Sequence, residues 1–119
     1  MSGRFTDSKV QEFLGSFNQV WLGLAHESPE ISSPYSAEIN GAAYERMRIL
    51  MSQPEGRYVA NATGCRFSGL PAVRITHLLG WDQSINGNLD FFIALPTPMR
   101  IQLGRSFVVD SGDIVLSID

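Results

Sequence analysis

The stretch ITHLLGWDQSINGNLDFFIAL, residues 75–95, decides the fold class. Asn86-Gly87 near its centre is a strong signal for a tight hairpin turn, because both positions of a type I′ turn need positive φ and these two residues tolerate it. The turn is predicted to join residues 79–83 to a strand over residues 89–95. The sequence therefore predicts an antiparallel hairpin at this point of the chain.

The two strands of this hairpin differ in their patterns. Residues 89–95 are apolar on both sides, which predicts a central strand covered on both faces and ended by Pro96 and Pro98. Residues 72–79 alternate instead, which predicts one buried face. That apolar face is predicted to carry Val73, Ile75, His77 and Leu79.

Outside the hairpin, further short runs alternate with a period of two, as strands with one buried face do. Turn-forming residues such as Pro54-Glu55-Gly56 and Ser111-Gly112 separate them. The predicted strands are residues 18–25, 43–51, 58–62, 65–68, 99–103, 106–109 and 113–118. With the hairpin, about seven to nine short strands predict a mainly β protein, an antiparallel, jelly-roll-like β-sandwich.

One short α-helix is predicted before the strands, over residues 8–17. Ser8 with Gln11 resembles a capping box, which would begin the helix near Lys9. A single apolar face is predicted for this helix, because its apolar residues recur at i, i+3, i+4 and i+7, as Val10, Phe13, Leu14 and Phe17. Residues 26–41 are rich in Pro, Ser, Asn and Gly and are predicted to form a long exposed loop.

Composition bounds the class of protein. The 119 residues fit a single domain, with the helix at residues 8–17 and the sandwich at residues 18–119. A hydrophobic fraction of 44% excludes disorder throughout, and a net charge of −3 without a basic block argues against nucleic-acid binding. Cys65 is the only cysteine, so no disulfide can form within the chain. No signal peptide and no membrane span are expected.

Residue types that carry chemistry do not form a motif. His26 and His77 lack the spacing of a zinc site, and His77 is expected to be a core imidazole. A Cys65–His77 nucleophile pair lacks an orienting third residue. Calcium ligands could come from Asp82, Asn86 and Asn88, but these residues are expected in a turn, where Asp and Asn bind the local backbone. The same applies to the carboxylates that could form a catalytic pair, those of Asp82, Asp90, Asp110, Asp113 and Asp119. No metal, no cofactor and no catalytic residue are predicted.

Arg46 and Arg48 form a spaced pair within residues 43–51. Arginine is seldom fully buried, so both are predicted to lie on a solvated strand face.

Several segments, in the same order, resemble motifs of bacteriophage tail fibre-like or minor tail virion proteins. Residues 20–24, VWLGL, look like the first strand of that family, and GAAYER at residues 41–46 is similar to its gGgYaR element. ITHLLGWD at residues 75–82 is similar to vtHvGifD. Residues 84–95 and 96–116 resemble the segments that follow, so the resemblance runs from Val20 to the C-terminus.

This resemblance implies a non-enzymatic virion protein with a small β-sandwich module, assembled in the host cytoplasm and placed on the tail rather than the head. It implies symmetric copies of the chain, a trimer being favoured, in contact with other phage tail or capsid proteins. The family-motif residues that carry over are Tyr44, Arg46, Thr76, His77, Gly80, Asp82, Gly87, Asn88, Leu89 and Gly112.

Three other functions stay open at this point. A capsid decoration protein would use the same sandwich on another platform. A carbohydrate-binding module would stack Trp81 or Tyr35 on a sugar of the host surface, although aromatic residues more often pack in cores. An enzyme is the least favoured of the three.

Overall fold

The computed structural model describes residues 1–41 and 43–118. It contains one α-helix and eight strands that pair antiparallel. In chain order they are α1 (Asp7–Gly15), β1 (Gln19–Ala25), β2 (Met47–Leu50), β3 (Tyr58–Ala60), β4 (Cys65–Phe67), β5 (Val73–Trp81), β6 (Leu89–Ile101), β7 (Phe107–Val109) and β8 (Val115–Ser117). Within the described ranges, no helix has the length and apolar character needed to cross a bilayer.

The strands form two layers around one main core. One layer is a four-stranded sheet in the order β2-β1-β5-β6, and the other consists of two ribbons, β3-β8 and β4-β7. Buried side chains from both layers and from α1 meet in a single cluster, which includes Val10, Leu24, Ile49, Phe67 and Ile75. The predicted class, mainly β and antiparallel with one short N-terminal helix, is confirmed, and the eight strands lie within the predicted number.

The N-terminal helix begins two residues before the predicted start. Thr6, rather than Ser8, is the N-cap, and its side chain accepts a hydrogen bond from the Lys9 backbone N–H at 3.3 Å. Val10 and Leu14 are buried against the sheets, but Phe13 is 52% exposed. The apolar face of α1 is therefore narrower than the spacing of its apolar residues predicts.

The pairing of β5 with β6 is irregular at Thr76. The pairing with β6 shifts between Ile75 and His77, so the residues before and after this point do not keep simple alternation. Thr76 Oγ1 and His77 Nδ1 lie 2.8 Å apart, as expected when both side chains leave the same side of the sheet. The prediction of His77 as a core imidazole is wrong: His77 is half-buried, because Ile75 and Leu78 enter the main core and break the alternation on either side of it.

Strand β6 differs from its prediction in two ways. It is an edge strand rather than a central one, and it continues through Pro96 and Pro98 to Ile101. Proline is tolerated there because the outer side of an edge strand needs no N–H donor. Ile75 pairs with Met99 and His77 with Ala94, so residues 95–98 bulge opposite the single residue Thr76.

The tight turn predicted between β5 and β6 is confirmed. Asn86 and Gly87 both have positive φ, 57° and 77°. Further down the hairpin, Gly80 lies opposite Phe91, and a Cβ on Gly80 would lie 2.2 Å from the Phe91 ring. Glycine at this position lets the aromatic ring cover the neighbouring strand.

Residues 26–41 are only partly the exposed loop that their composition predicts. They contain a short 3₁₀-helix, Pro34–Ala37, after which Ala37 and Ile39 are buried. Backbone hydrogen bonds from His26 N to Ala37 O and from Ile39 N to Leu24 O tie the end of this segment to β1. The segment therefore covers the outer face of the four-stranded sheet at β1 and β5.

Candidate functional site

Polar and aromatic side chains, most of them buried, meet on the outer face of the four-stranded sheet. We call them the Arg46 cluster; its members are Tyr35, Glu38, Tyr44, Arg46 and Trp81. They come from three parts of the chain: residues 26–41, which we call the covering segment, the residues just before β2, and the end of β5. The cluster therefore joins segments that are distant in sequence.

The Arg46 guanidinium forms a two-point ion pair with the Glu38 carboxylate. Nη2 donates to Oε1 at 2.8 Å and Nε donates to Oε2 at 2.9 Å. The third nitrogen, Nη1, donates to the carbonyls of Gln83 and Asn86 at 2.9 and 2.7 Å. The prediction of a solvated Arg46 is wrong, because the two side chains are only 6% and 12% exposed; Arg48 is exposed as predicted.

Trp81 lies at the centre of the cluster. The Arg46 Cζ atom is 3.9 Å from the centre of the Trp81 ring, which is a cation–π contact. The Tyr35 ring stacks on Trp81 with 5.2 Å between ring centres, and its hydroxyl donates to the Gly87 carbonyl. Trp81 is fully buried and Tyr35 is 49% exposed. A ligand could therefore reach Tyr35, whereas it could reach Trp81 only after these neighbours moved.

Tyr44 connects the ion pair to β1. Its hydroxyl donates to Glu38 Oε2 at 2.6 Å and accepts from the Leu24 backbone N–H at 3.0 Å. A Cβ on Gly23 would lie 2.6 Å from Glu38 Oε2, so glycine leaves room for these contacts. Burial, and then the hydrogen bond to the Glu38 carboxylate, raise the pKa of Tyr44 far above its usual range.

This shift predicts a loss of stability at high pH. The unfolded chain releases the Tyr44 proton above about pH 10, whereas the folded chain retains it. The stability that the buried, protonated Tyr44 contributes is therefore fully present below about pH 10. Above this pH the free energy of unfolding falls by up to ~1.4 kcal/mol per pH unit. Urea unfolding between pH 9 and 11.5 should show a shallower decline for Tyr44→Phe than for the wild type.

Tyr35→Phe is the matched control for this measurement. It also removes one tyrosine hydroxyl but leaves Tyr44 in place, so it should keep the steep decline of the wild type. Equal slopes for the wild type and Tyr44→Phe would contradict the assignment of this pH dependence to Tyr44.

The loop between β5 and β6 brings several family-motif residues next to the cluster. Asp82 Oδ1 accepts from the Asn88 backbone N–H at 2.7 Å, and Asp82 Oδ2 lies 3.2 Å from Asn88 Nδ2. A Cβ on Gly87 would lie 2.3 Å from Asp82 Oδ1. Leu89 packs against the buried pair of Leu79 and Trp81. These contacts fix the loop whose carbonyl groups Arg46 holds.

The remaining family-motif residues lie elsewhere. Thr76 and His77 lie where the pairing of β5 with β6 is irregular, and Gly112 adopts a φ of 84° in the turn before β8. The Gly112 backbone N–H donates to the carbonyl of Asn61, a residue that sequence reasoning missed. Asn61 is 2% exposed; its side chain donates to the carbonyls of Thr63 and Asp110 and accepts from the Ile114 backbone N–H.

Glu38 is the other residue that the sequence did not single out. It lies in a segment without periodicity, eight positions before Arg46 in sequence. A lone carboxylate in a loop rich in Pro and Ser gives no local sign of its partner. Ala42 of the GAAYER motif lies outside the described residues. The other five positions of the motif are described and include Tyr44 and Arg46.

The possible catalytic and metal-binding residues do not converge in the described part of the chain. No group of three or more His, Cys, Asp or Glu side chains there could hold a metal ion. Cys65 lies in the β4-β7 ribbon, whereas His77 lies in the four-stranded sheet. Burial raises the pKa of Cys65 to about 11, which keeps the thiol protonated at neutral pH. Asp119 lies outside the described residues.

An open groove lies beside the Arg46 cluster, at the edge formed by β6. Its volume is about 550 Å³, within the usual range of ligand sites. Phe92, 47% exposed, and Asp90 supply its aromatic and acidic side chains. The lining residues are Ile31, Pro34, Asn88, Leu89, Asp90, Phe91 and Phe92.

Together, the antiparallel β layers and a buried polar cluster occupied by contacts within the chain define a small β-structural module. A family of phage fibre proteins, described as "Podophage GP4 fiber I protein gp80", matches residues 14–117. The chain belongs to this family. This finding supports the phage tail fibre-like resemblance of the sequence. A search of curated proteins found no match.

Proposed function

We propose that the chain is a non-enzymatic structural component of a phage virion, placed at the tail tip or in a fibre and acting through contacts with other protein chains. The family membership over residues 14–117 carries this proposal. The contacts of the Arg46 cluster support it, because its charged groups hold loops in place and are not free for chemistry. The whole chain would then act as one domain, assembled as copies of itself in the host cytoplasm.

Two locations on the particle compete within this proposal. A tail component and a capsid decoration protein would use the same β layers on different platforms. Immunogold electron microscopy of purified particles, with antibody against this chain, separates them: gold at the tail tip or fibres supports the tail, and gold over the head supports decoration. Particles that lack the protein would overturn the virion proposal.

A glycan-binding role is the second candidate function, and the open groove favours it. The groove presents an exposed aromatic ring, Phe92, next to the carboxylate of Asp90, and sugars are bound by such pairs through stacking and hydrogen bonds. A glycan array should then show binding that Phe92→Ala abolishes while the fold is retained. Binding that is equal in the wild type and Phe92→Ala would exclude this groove.

A further inference from the structure

The outer face of the β5-β6 hairpin carries unlike charges at its two ends. We call this surface the hairpin face, and its members are Arg74, His77, Asp90, Phe92, Ala94 and Arg100. The covering segment packs against β1 and the Trp81 side of β5, and Phe92 remains 47% exposed. The hairpin face is therefore open at β6.

One end of the hairpin face is basic. Arg74 and Arg100 are direct cross-strand partners, so their side chains leave the same side of the sheet. Both are exposed, and neither forms an ion pair with a carboxylate in residues 1–41 and 43–118. Like charges placed directly opposite each other on a sheet are destabilising. An acidic group from outside the chain would remove this cost.

The other end of the hairpin face is acidic. Asp90 follows Leu89, which pairs with Trp81 at the far end of β5. Partial burial, and then the nearby charge of Asp82, raise the pKa of Asp90. The Asp90 carboxylate makes no ion pair with the described residues either. A basic group from outside the chain would stabilise it.

The two ends are separated by a fixed length of sheet. Arg74 and Trp81 are seven residues apart on β5, which at about 3.3 Å per residue corresponds to ~23 Å. The exposed ring of Phe92 lies between them, and it contacts His77 with 6.2 Å between ring centres. The surface thus has an apolar centre between a basic end and an acidic end.

We propose that two copies of the chain pack through their hairpin faces, antiparallel about a twofold axis near His77 and Ala94, with Asp90 of each copy against Arg74 and Arg100 of the other. This dimer takes the place of the trimer that the family resemblance favours. A parallel arrangement would place like charges together at both ends. A twofold contact uses the same patch on both chains, which a surface with opposite charges at its two ends can satisfy. This inference rests on the proposed role as an assembling virion component, for which it names the partner.

The test uses charge reversal of the complete chain, followed by sedimentation equilibrium at concentrations up to ~0.5 mM. The wild type should form a species of twice the chain mass of 13.1 kDa. Asp90→Arg and Arg100→Asp, each alone, should raise the dimer Kd about tenfold or more, because each places like charges across the axis. The charge-swapped variant, Asp90→Arg together with Arg74→Asp and Arg100→Asp, should return the Kd to within about threefold of the wild type.

Arg66→Asp is the control, because Arg66 is exposed on β4, away from the hairpin face, and its reversal should leave the Kd unchanged. Circular dichroism checks that each variant is folded. A monomer at every concentration, a threefold mass, or a charge-swapped variant that fails to recover would overturn the inference. If the chain is found on virions and yet is a monomer, the inference fails while the proposed function stands.

Discussion

Arg46→Ala should lower the free energy of unfolding by about 3–5 kcal/mol, the usual cost of removing one partner of a buried ion pair. The Glu38 carboxylate would stay at 12% exposure without its counter-ion. The carbonyls of Gln83 and Asn86 would lose their donor as well. Urea unfolding followed by circular dichroism measures the loss.

The matched control for this change is Arg48→Ala. Arg48 lies two residues further along the chain and is exposed, so its removal should change the stability by about 0.5 kcal/mol or less. Glu38→Ala combined with Arg46→Ala should cost less than the sum of the two single changes, because each single variant leaves a buried charge unpaired. Similar losses for Arg46→Ala and Arg48→Ala would show that Arg46 is not buried as described.

Trp81→Ala should also lower the free energy of unfolding by about 3–5 kcal/mol, because it removes a large, fully buried side chain. The change also removes the surface on which Tyr35 and the Arg46 guanidinium pack. Thermal unfolding should show a transition shifted well below that of the wild type, or no cooperative transition at all.

Trp81→Phe and Phe92→Ala complete this experiment. Trp81→Phe keeps an aromatic ring beneath Arg46 and removes the indole Nε1, which has no hydrogen-bond partner among the described residues. Its loss of unfolding free energy should therefore be clearly smaller than that of Trp81→Ala. Phe92 is 47% exposed, and its truncation should cost about 1 kcal/mol or less. A fully folded Trp81→Ala variant would contradict the central role of Trp81. Phe92→Ala, rather than Trp81→Ala, is thus the informative variant for ligand binding.

Much of the fold could be predicted because its signals are local. Asn86-Gly87 specifies positive φ at two successive residues whatever surrounds them, and the β5-β6 hairpin follows from that. Alternation of apolar and polar residues likewise predicts strands such as β1 and favours an antiparallel fold. The position of the helix was close, but two hydroxyl residues, Thr6 and Ser8, can both cap a helix, and only the final packing selects Thr6.

The burial of Arg46 could not be predicted in this way. Its partners are a carboxylate in an irregular segment and two carbonyls of a loop about 40 residues later, so only the tertiary arrangement brings them together. Residue type alone favours solvent exposure for arginine, and that general preference gave the wrong answer here. The sequence offers Trp81 as a surface for a ligand and gives no local sign that Trp81 packs against an arginine.

The course of β6 shows the same limit. Proline ends a strand only where the ladder needs its N–H, and that depends on the position of the strand in the sheet. Strand order is a property of the whole fold, since β6 is at the edge only because β1 pairs with β5 on the other side. The half-buried position of His77 goes with the irregular pairing between β5 and β6, which alternation in the sequence does not reveal.

The two prolines of β6 also affect how the protein behaves when many copies are made at once. A long, regular edge strand can template the addition of further strands and so lead to amyloid-like polymers. Pro96 and Pro98 offer no N–H groups to an incoming strand, and the bulge at residues 95–98 breaks the straight line that such growth requires. The longest edge of the sheet therefore resists uncontrolled addition of strands.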